Sequence, residues 1–436
     1  MNGLLEKTAR RLEPLRGKTL ALGVSGGRDS MCLLHAALNC GAVEKSQLLA
    51  VHVNHGLRDQ ADSDELFVRE FCLRNGVEFR AYRVNVKAES AKNGLTIEQA
   101  ARNLRYAVFY DIIGNGEADV VLTAHHALDN AETVLMHLFR GAGLDGMRGM
   151  ADGGALPVVR PFLDVYPCEL DEYCAQNGLK FVVDDTNFLD DADRNYIRLN
   201  VIPLIERRYK GAVRAINALS AECARACDYM ESSIDLSLIT YSDGAVLIAD
   251  DALIGGLAAR YVRRALAYFT TVDITREQTD RVVALAHMRI GASVELSGGI
   301  VAAREYGRVA LYIPRLECDA EYPVALGGNY IDGLAVDITR CDVSPQSVKG
   351  GAVDFDKLDG AVLRFRRDGD VFTPFGGKRK KLKQYFIDKK IPKRLRNRIP
   401  LICRGDEVLV AVGVEISDSV KQTADTAVKA VVRLRR

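Results

Sequence analysis

The chain has 436 residues, enough for about three domains, and 48% of them are hydrophobic and 27% charged. Its 59 Lys and Arg nearly balance 58 Asp and Glu, which leaves a net charge of +1 and excludes a disordered polyelectrolyte or a uniformly basic nucleic-acid binder. There is no apolar run of about 18 residues and no apolar signal-peptide core at residues 1–11, so we expect a cytoplasmic protein without a membrane span. The ten cysteines form no Cys-x-x-Cys pair, so we expect buried, reduced thiols rather than disulfides or a zinc site.

Strand and helix patterns alternate over the first 200 residues. Apolar runs predict strands at 19–24, 48–53, 78–86 and 118–123, and amphipathic patterns predict helices at 31–38, 62–73, 96–113 and 128–139. Short apolar strands between helices are typical of a doubly wound α/β domain with a parallel sheet. Ligands of such sheets bind at the carboxyl ends of the strands.

The loop after the first predicted strand reads Gly-Val-Ser-Gly-Gly-Arg-Asp-Ser, residues 23–30. Its glycines permit a sharp turn, and successive backbone amides at a helix N-terminus form a concavity that binds anions. Asp29 fits such a phosphate site if a divalent cation bridges the carboxylate and the phosphate. The loop lacks the Walker A ending and the Gly-x-Gly-x-x-Gly pattern. The alternative is a tight turn with a Ser or Asp cap.

The helix predicted at 128–139 carries two carboxylates near its start. Asp129 and Glu132 are three residues apart and therefore share a helix face. They could hold Mg²⁺ or neutralise an incoming ammonium group, or they could be a solvated acidic face at a helix N-terminus. His125 and His126 precede them and could contact phosphate or merely pack.

Arginine pairs stand at helical spacing in two further segments. Arg102 and Arg105 share a helix face and could bind phosphate or pair with acidic groups. Arg194 and Arg198 are one turn apart and could clamp an anion or a carboxylate.

The balanced net charge conceals a basic segment near the C-terminus. Residues 364–404 hold 15 Lys and Arg against three Asp and Glu, a net charge of +12, while the rest of the chain carries −11. A basic segment on an acidic body indicates an anionic partner that meets one region. From composition we predict a first domain at 1–205, a mostly helical middle domain at 206–326, a turn-rich linker at 327–350 and a basic domain at 351–436.

Residues 25–30 resemble the Ser-Gly-Gly-x-Asp-Ser loop of the PP-loop ATP pyrophosphatases. Further stretches resemble the tRNA(Ile)-lysidine synthetases within that superfamily: residues 52–58, 101–106, 125–133, 140–143, 185–187 and 194–198. Residues 372–378, 383–387 and 390–392 resemble the C-terminal domain of the same enzymes.

The resemblance implies an adenine nucleotide alpha hydrolase-like α/β sheet, followed by a helical middle domain and a small α+β basic domain that binds tRNA. It implies an enzyme that uses ATP and Mg²⁺ to adenylate C2 of the wobble cytidine, position 34, in a tRNA(Ile) with the anticodon CAU. The ε-amine of free L-lysine then attacks C2, giving lysidine, AMP and pyrophosphate and changing codon reading from AUG to AUA. A homodimer is also implied.

Site residues follow from the matched motifs. For ATP the resemblance implies Ser25, Gly26, Gly27, Arg28, Asp29, Ser30, Asn54, His55 and Arg105. For catalysis it implies Asp29, Glu132 and Arg198, and for Mg²⁺ it implies Asp29 and Asp129. For tRNA it implies Arg194, Lys378, Lys381, Lys383, Lys390 and Arg394.

The chain departs from the family pattern at four positions: Leu128 replaces an acid, Asn130 replaces a glutamine, Thr186 replaces a serine, and Glu415 stands where arginine is usual. One alternative is a tRNA 2-thiolation enzyme on the same core, which typically needs paired or catalytic cysteines. Another is a non-catalytic RNA-binding protein with a relic ATP fold.

Overall fold

The computed structural model describes residues 3–57, 60–154, 156–182, 193–269, 275–315, 318–341 and 351–435. The chain divides into two compact units, Met1–Met230 and Glu231–Arg436, called unit 1 and unit 2 below. None of the helices described is both long and apolar enough to cross a membrane. All ten cysteines are free thiols.

Unit 1 is built on a five-stranded sheet in the order β3-β2-β1-β4-β5, and every pairing is parallel. Its strands are β1 (Leu20–Gly23), β2 (Leu48–Asn54), β3 (Glu78–Arg83), β4 (Val120–Leu122) and β5 (Val158–Val159). The predicted doubly wound parallel sheet is confirmed. Because the strand order reverses at β1, the loops after β1 and β4 border a crevice at the carboxyl edge.

Helices cover both faces of this sheet. They are α1 (Gly3–Leu12), α2 (Arg28–Asn39), α3 (Ala61–Asn75), α4 (Val86–Asn93), α5 (Ile97–Gly114), α6 (Ala127–Phe139), α7 (Leu144–Met147), α8 (Pro167–Asn177), α9 (Asp193–Tyr196), α10 (Ile202–Arg208) and α11 (Ala212–Ser232). Leu20 and Leu22 pack in one core cluster, whereas Ala21 packs in another. Strand β1 is therefore buried on both sides, as its unbroken apolar sequence predicts.

One predicted strand ends earlier than its apolar pattern suggests. The prediction covered 78–86, but β3 ends at Arg83 and α4 begins at Val86. The Asn85 side chain accepts a hydrogen bond of 3.0 Å from the backbone N–H of Ala88 and caps α4. An N-cap therefore outweighs the β-propensity of the valines beside it.

Unit 2 begins with an antiparallel sheet in the order β6-β7-β10-β9-β8. Its elements are β6 (Ile239–Ser242), β7 (Ala245–Ala249), α12 (Ala258–Leu266), α13 (Arg276–Ala284), β8 (Ser293–Glu295), β9 (Val301–Glu305) and β10 (Arg308–Tyr312). Both helices pack with the sheet around Val262, Val309 and Leu311.

The remainder of unit 2 contains a seven-stranded and a four-stranded sheet. Its strands are β11 (Tyr322–Pro323), β12 (Gly327–Ile331), β13 (Leu334–Arg340), β14 (Ala352–Asp354), β15 (Val362–Arg364), β16 (Val371–Phe372), β17 (Lys380–Lys381), β18 (Leu401–Arg404), β19 (Glu407–Ala411), β20 (Glu415–Ile416) and β21 (Lys429–Arg435). Two short helices, α14 (Leu382–Asp388) and α15 (Lys393–Arg396), accompany them. This is the small α+β arrangement expected of the basic domain.

A β-hairpin occupies much of the segment for which the sequence predicts a linker. Strands β12 and β13 pair with each other, and β13 pairs along its length with β21. Ile331, Val336 and Ile338 are buried by this pairing, and Asp332 and Gly333 form the tight turn. The turn residues that suggested a linker therefore belong to a hairpin, while residues 342–350 lie outside the described part.

Gly149 offers a test of how tightly α6 is packed. A Cβ there would lie 2.2 Å from Oδ1 of Asn130, whereas a Cβ on Gly153 would meet nothing within 4 Å. Both glycines have positive φ, 67° and 83°, so alanine strains the backbone at each. We expect Gly149→Ala to lower the free energy of unfolding by about 1–3 kcal/mol more than Gly153→Ala. Urea denaturation of both variants measures this, and equal losses would contradict the crowding.

Candidate active site

The loop between β1 and α2 is held by its own serines. The Ser30 hydroxyl donates to the carbonyl oxygen of Gly27 at 2.9 Å and accepts the backbone N–H of Ser25 at 3.2 Å. The N–H of Gly27 points to Oγ of Ser25 at 3.3 Å. Gly26 has φ of +90°, and a Cβ there would lie 3.4 Å from Val68, so glycine fits this position. The result is a rigid concave turn at a helix N-terminus.

A cavity of about 410 Å³ lies over this loop at the carboxyl edge of the sheet. Seven predicted site residues line it: Ser25, Asp29, Ser30, Asn54, His55, Arg105 and Asp129. Its volume lies within the range of small-molecule sites.

Aromatic and apolar side chains form the rest of this lining, and the sequence analysis did not identify them. They include Val51, Tyr106 and Phe109. Tyr106 and Phe109 are three residues apart on α5 and stack edge to face, with ring centroids 6.0 Å apart. The position of Phe109, four residues after Arg105, was the available signal, because residues four apart share a helix face.

His126 connects the loop to α6. Its Nε2 lies 3.6 Å from Oδ2 of Asp29, and its Nδ1 lies 3.2 Å from Oδ2 of Asp129. The backbone N–H of Asp129 points to Nδ1 at 3.4 Å, and the backbone N–H of His126 donates to Asp129 at 2.9 Å. This reciprocal cap makes Nδ1 the acceptor, so in the neutral ring Nε2 carries the proton toward Asp29. The two carboxylates thus flank one imidazole.

Asp129 is also joined to an ion pair between Arg198 and the buried Glu132. Arg198 Nε donates to Oε1 of Glu132 at 2.5 Å, and its Nη2 donates to Oε2 of Glu132 at 3.0 Å and to Oδ1 of Asp129 at 2.8 Å. The Glu132 side chain is 0% exposed. The bidentate geometry satisfies both oxygens of this desolvated carboxylate.

Arg198 lies in a π-helical turn between α9 and α10. Residues Ile197–Val201 form this turn, and the N–H of Ile202 donates to the carbonyl oxygen of Ile197, five residues earlier. Such single π turns are frequent at functional sites. Arg194, one turn before, donates from Nη2 to Oγ1 of Thr133 at 2.7 Å.

Burial and these charges shift the pKa values of the two carboxyls in opposite directions. Burial raises the pKa of Glu132, and the hydrogen bonds from Arg198 reduce the rise without cancelling it. Burial also acts to raise the pKa of Asp129, but His126, His125 and Arg198 together bring it below its usual value. For Arg198 the two carboxylates outweigh burial and raise the pKa. Glu132 is therefore the stronger base of the pair.

His125 faces the cavity as a neutral ring. Burial lowers its pKa to about 4, and Arg160, Arg105 and Arg102 add to this effect against Asp129. Oγ1 of Thr123 and Nδ1 of His125 lie 2.9 Å apart. At neutral pH this side chain offers hydrogen bonds without charge.

The carboxylates fit a magnesium ion that arrives with a nucleotide better than a resident metal. Among the residues described, no group of three or more His, Cys, Asp and Glu side chains is placed to hold a metal. Asp29 and Asp129 both line the cavity, and Mg²⁺ in nucleotide sites takes one or two carboxylates together with phosphate oxygens and water.

Several predicted residues are engaged within the protein. Arg28 donates to Asp29 at 2.8 Å and to Asp171 at 2.7 Å. The Asn54 amide donates to Asp62 at 3.0 Å and accepts the N–H of Gly56 at 3.0 Å, which shapes the loop after β2. Arg58 and residues 185–187 of the matched stretches lie outside the described residues.

The predicted tRNA contacts of unit 2 divide into two groups. Lys378, Lys381, Lys383 and Lys390 are exposed. Arg394 is different, because its side chain is 4% exposed and its Nε donates to Oε1 of Glu305 at 2.8 Å. The sequence could not separate these groups, because the partner of Arg394 is 89 residues away.

Comparisons with known proteins match both ends of the chain. Residues 3–205 match the family described as a PP-loop domain, and residues 361–432 match the family described as a TilS substrate C-terminal domain. A tRNA(Ile)-lysidine synthase of Clostridium acetobutylicum is 31% identical over 424 residues and covers 92% of each chain. One of Caldanaerobacter subterraneus is 30% identical, covering 98% of this chain and 96% of its own. One of Clostridium tetani is 29% identical, covering 94% and 93%.

Removing Arg198 tests the buried ion pair. Arg198→Ala removes both hydrogen bonds to the fully buried Glu132 carboxylate and leaves only the Arg194 guanidinium, whose Nε lies 3.5 Å from Oε2, so we expect the free energy of unfolding to fall by about 3–5 kcal/mol. Arg140→Ala is the control, because Arg140 pairs with Asp193 at 3.0 Å where both side chains are exposed, and such pairs contribute less than about 1 kcal/mol. Urea denaturation compares the two variants. Equal losses would mean that Glu132 is not desolvated as described.

The lowered pKa of His125 predicts how the stability of the fold changes with pH. The folded ring has a pKa of about 4, whereas an unfolded histidine titrates near about 6.5. The unfolded chain thus binds the proton first, and stability falls by roughly 1 kcal/mol per pH unit as pH drops from about 6.5 toward 4. We expect His125→Gln to flatten this part of the curve of melting temperature against pH. The exposed His287→Gln serves as control and keeps the wild-type slope; the same slope in both variants would contradict the assignment.

Proposed function

This chain belongs to the tRNA(Ile)-lysidine synthase family, and we propose that the cavity of unit 1 is where it carries out the family's reaction. It is an ATP-dependent ligase that forms a carbon–nitrogen bond on tRNA(Ile). The observation that carries the proposal is the shared cavity, which brings the Ser25–Ser30 loop and the carboxylates of Asp29 and Asp129 to one place. The reaction needs ATP, free lysine and tRNA together, and these meet in the cytoplasm.

We propose that ATP binds with its phosphates at the loop and its adenine against the apolar wall. The amides after Ser25 and the N-terminus of α2 supply donors and a favourable dipole for phosphate oxygens. Val53 and Tyr106, which are half-buried and line the cavity, offer an apolar surface to a planar ring, and Arg105 supplies a nearby positive charge. Mg²⁺ would be held by Asp29 and Asp129 and would neutralise phosphate charge during adenylation.

The second step needs a deprotonated amine, and we assign Glu132 as its proton acceptor or orienter. The C2 oxygen of the wobble cytidine leaves with AMP once the lysine ε-amine has attacked C2. The cytidine must first turn out of the anticodon stack to reach the cavity. The raised pKa of Glu132 makes it a better base than Asp129. Arg198 holds Glu132 in position through both carboxylate oxygens. One of these two hydrogen bonds must break when lysine enters, so that Glu132 can accept a proton.

For tRNA we propose the four exposed lysines of unit 2, Lys378, Lys381, Lys383 and Lys390, as phosphate contacts. Arg194 belongs to the catalytic cluster of unit 1, where it could meet the anticodon loop. The buried pairing of Arg394 with Glu305 fits a role in shaping unit 2 better than a direct contact with a tRNA helix. We also propose a homodimer, as the resemblance implies; molar mass from light scattering tests it.

A 2-thiolation enzyme is the weaker proposal, because its chemistry needs a reactive thiolate. Cys32 and Cys174 approach within 2.9 Å, but both are buried. Burial raises the pKa of each thiol, which disfavours the thiolate.

The decisive assay follows lysine into RNA. Purified protein is incubated with an unmodified CAU-anticodon tRNA(Ile) transcript, Mg·ATP and radiolabelled lysine, and label retained in the RNA is counted. We expect incorporation that is lost when the wobble cytidine is changed. ATP splitting to AMP on RNA without lysine incorporation would instead indicate another nucleophile.

Glu132→Gln tests the proposed base. The amide preserves shape but accepts no proton, so we expect kcat for lysine incorporation to fall about 10²–10⁴-fold. AMP binding should be retained. Glu70→Gln, an exposed glutamate on α3, is the control and keeps wild-type kcat. Full activity of a folded Glu132→Gln protein would disprove the role.

A further inference from the structure

Helix α11 packs against the two elements that carry the ion pair of Glu132 and Arg198. Its Val213 belongs to one buried cluster with Ala131 of α6 and with Ile197 of the π-helical turn. The buried side chains of α11 recur at helical spacing along one face: Val213, Ser220, Cys223 and Cys227. None of these four residues lines the cavity of unit 1. The face therefore supports the elements around the ion pair from outside the cavity.

Two polar side chains, Asn217 and Ser220, lie on this face where apolar side chains would simply extend the core. The Asn217 amide donates from Nδ2 to the carbonyl oxygen of Ala127 at 2.8 Å, and its Oδ1 accepts a hydrogen bond from Nδ2 of Asn130 at 2.8 Å. Ala127 is the first residue of α6. Both polar atoms of Asn217 are thus used by the first turn of that helix.

Asn130 extends this network to the loop before β5. Its Nδ2 also points to Oγ of Ser220 at 3.3 Å, and its Oδ1 accepts the backbone N–H of Met150 at 2.7 Å. The Ser220 hydroxyl donates to the carbonyl oxygen of Arg148 at 2.7 Å. Asn130 is 8% exposed and Ser220 2%, so neither can replace a lost partner with bulk water. Because sliding α11 along α6 would separate these donors from their acceptors, the network fixes one register between the two helices.

The anchored side of α6 lies next to the side that carries its carboxylates. Ala127 and Asn130 are three residues apart and share the face toward α11, whereas Asp129 and Glu132 share the face toward Arg198. Successive residues are offset by about 100° around a helix, so a rotation of this turn that released Asn130 would also move both carboxylates. The hydrogen bonds of Asn217 therefore set the direction in which Asp129 and Glu132 point.

We propose that Asn217 is a positioning residue for the lysine step. By holding Ala127 and Asn130, it keeps the carboxylates of Asp129 and Glu132 directed at the incoming amine. It acts through α6 and is not among the residues that line the cavity. This role rests on the proposed function of the protein, whereas the anchoring of α6 by Asn217 does not.

Hydrogen–deuterium exchange of the full chain, read by mass spectrometry, tests the anchoring. The test variant is Asn217→Ala. Its matched control is Cys227→Ala, which removes a fully buried side chain about 15 Å further along α11. We expect the amides of residues 127–133 to exchange at least about tenfold faster in the test variant and at the wild-type rate in the control. Melting temperatures verify folding, and Asn217→Ser, whose side chain is too short for both contacts, replaces the test variant if that variant is unstable.

Single-turnover lysine incorporation into the tRNA(Ile) transcript tests the positioning role. We expect the rate constant to be about 10–100-fold lower in Asn217→Ala, because a small misplacement of a reacting group has a large effect on rate. The amplitude should equal that of the wild type. A merely structural role would instead lower the amplitude, which counts folded enzyme, and leave the rate constant unchanged. Cys227→Ala keeps the wild-type rate constant.

A wild-type rate constant in Asn217→Ala, or wild-type exchange at residues 127–133, would overturn the proposal. Failure of the proposed function has a different signature, because the wild-type protein would then incorporate no lysine. Exchange at α6 would still show in that case whether Asn217 anchors the helix.

Discussion

The arrangement of charges beside the cavity of unit 1 depends on one desolvated carboxylate. Glu132 has no contact with water, so it needs a cation whose shape satisfies both of its oxygens, and Arg198 supplies it. The same guanidinium reaches Asp129, which is joined through His126 to Asp29 on the loop between β1 and α2. Two helices and a loop from distant parts of unit 1 are thereby tied into one charge network. Removing Arg198 would take both of its hydrogen bonds away from the fully buried Glu132.

Features that are contiguous in the sequence were predictable. The glycine and serine loop and the spacing of Asp129 and Glu132 depend on neighbours within a few residues. The parallel sheet joins distant segments, but the alternation of short apolar runs with helices predicts it. The apolar wall of the cavity was not predicted, because an aromatic such as Phe109 has the same pattern whether it faces the protein core or a ligand. The engagement of Asn54 and of Arg394 was also hidden, since their partners are brought in by chain reversal. The domain boundaries stay a prediction. The hairpin at 327–340 shows that turn residues within a domain can be mistaken for a linker between domains.

Counting charge along the sequence overstates the basic surface of unit 2. Arg364 is buried in a bidentate pair with Asp370, and Arg394 is buried with Glu305. These arginines hold structure together and contribute little field to the solvent. The charge exposed to an anionic partner comes instead from side chains such as Lys378, Lys381, Lys383 and Lys390. Electrostatic attraction to RNA therefore depends on fewer groups than composition suggests.

The π-helical turn at Ile197–Val201 has a consequence for how this chain can vary. Such a turn holds one residue more than an α-helical turn would. Deleting one residue there would rotate the remainder of the helix by about 100° and carry Arg198 away from Glu132 or detach α10 from its packing. Substitutions on the outer side of this segment leave that geometry intact. Its length in residues is thus under stricter constraint than its composition, and insertions or deletions there should be far rarer among functional variants than amino-acid exchanges.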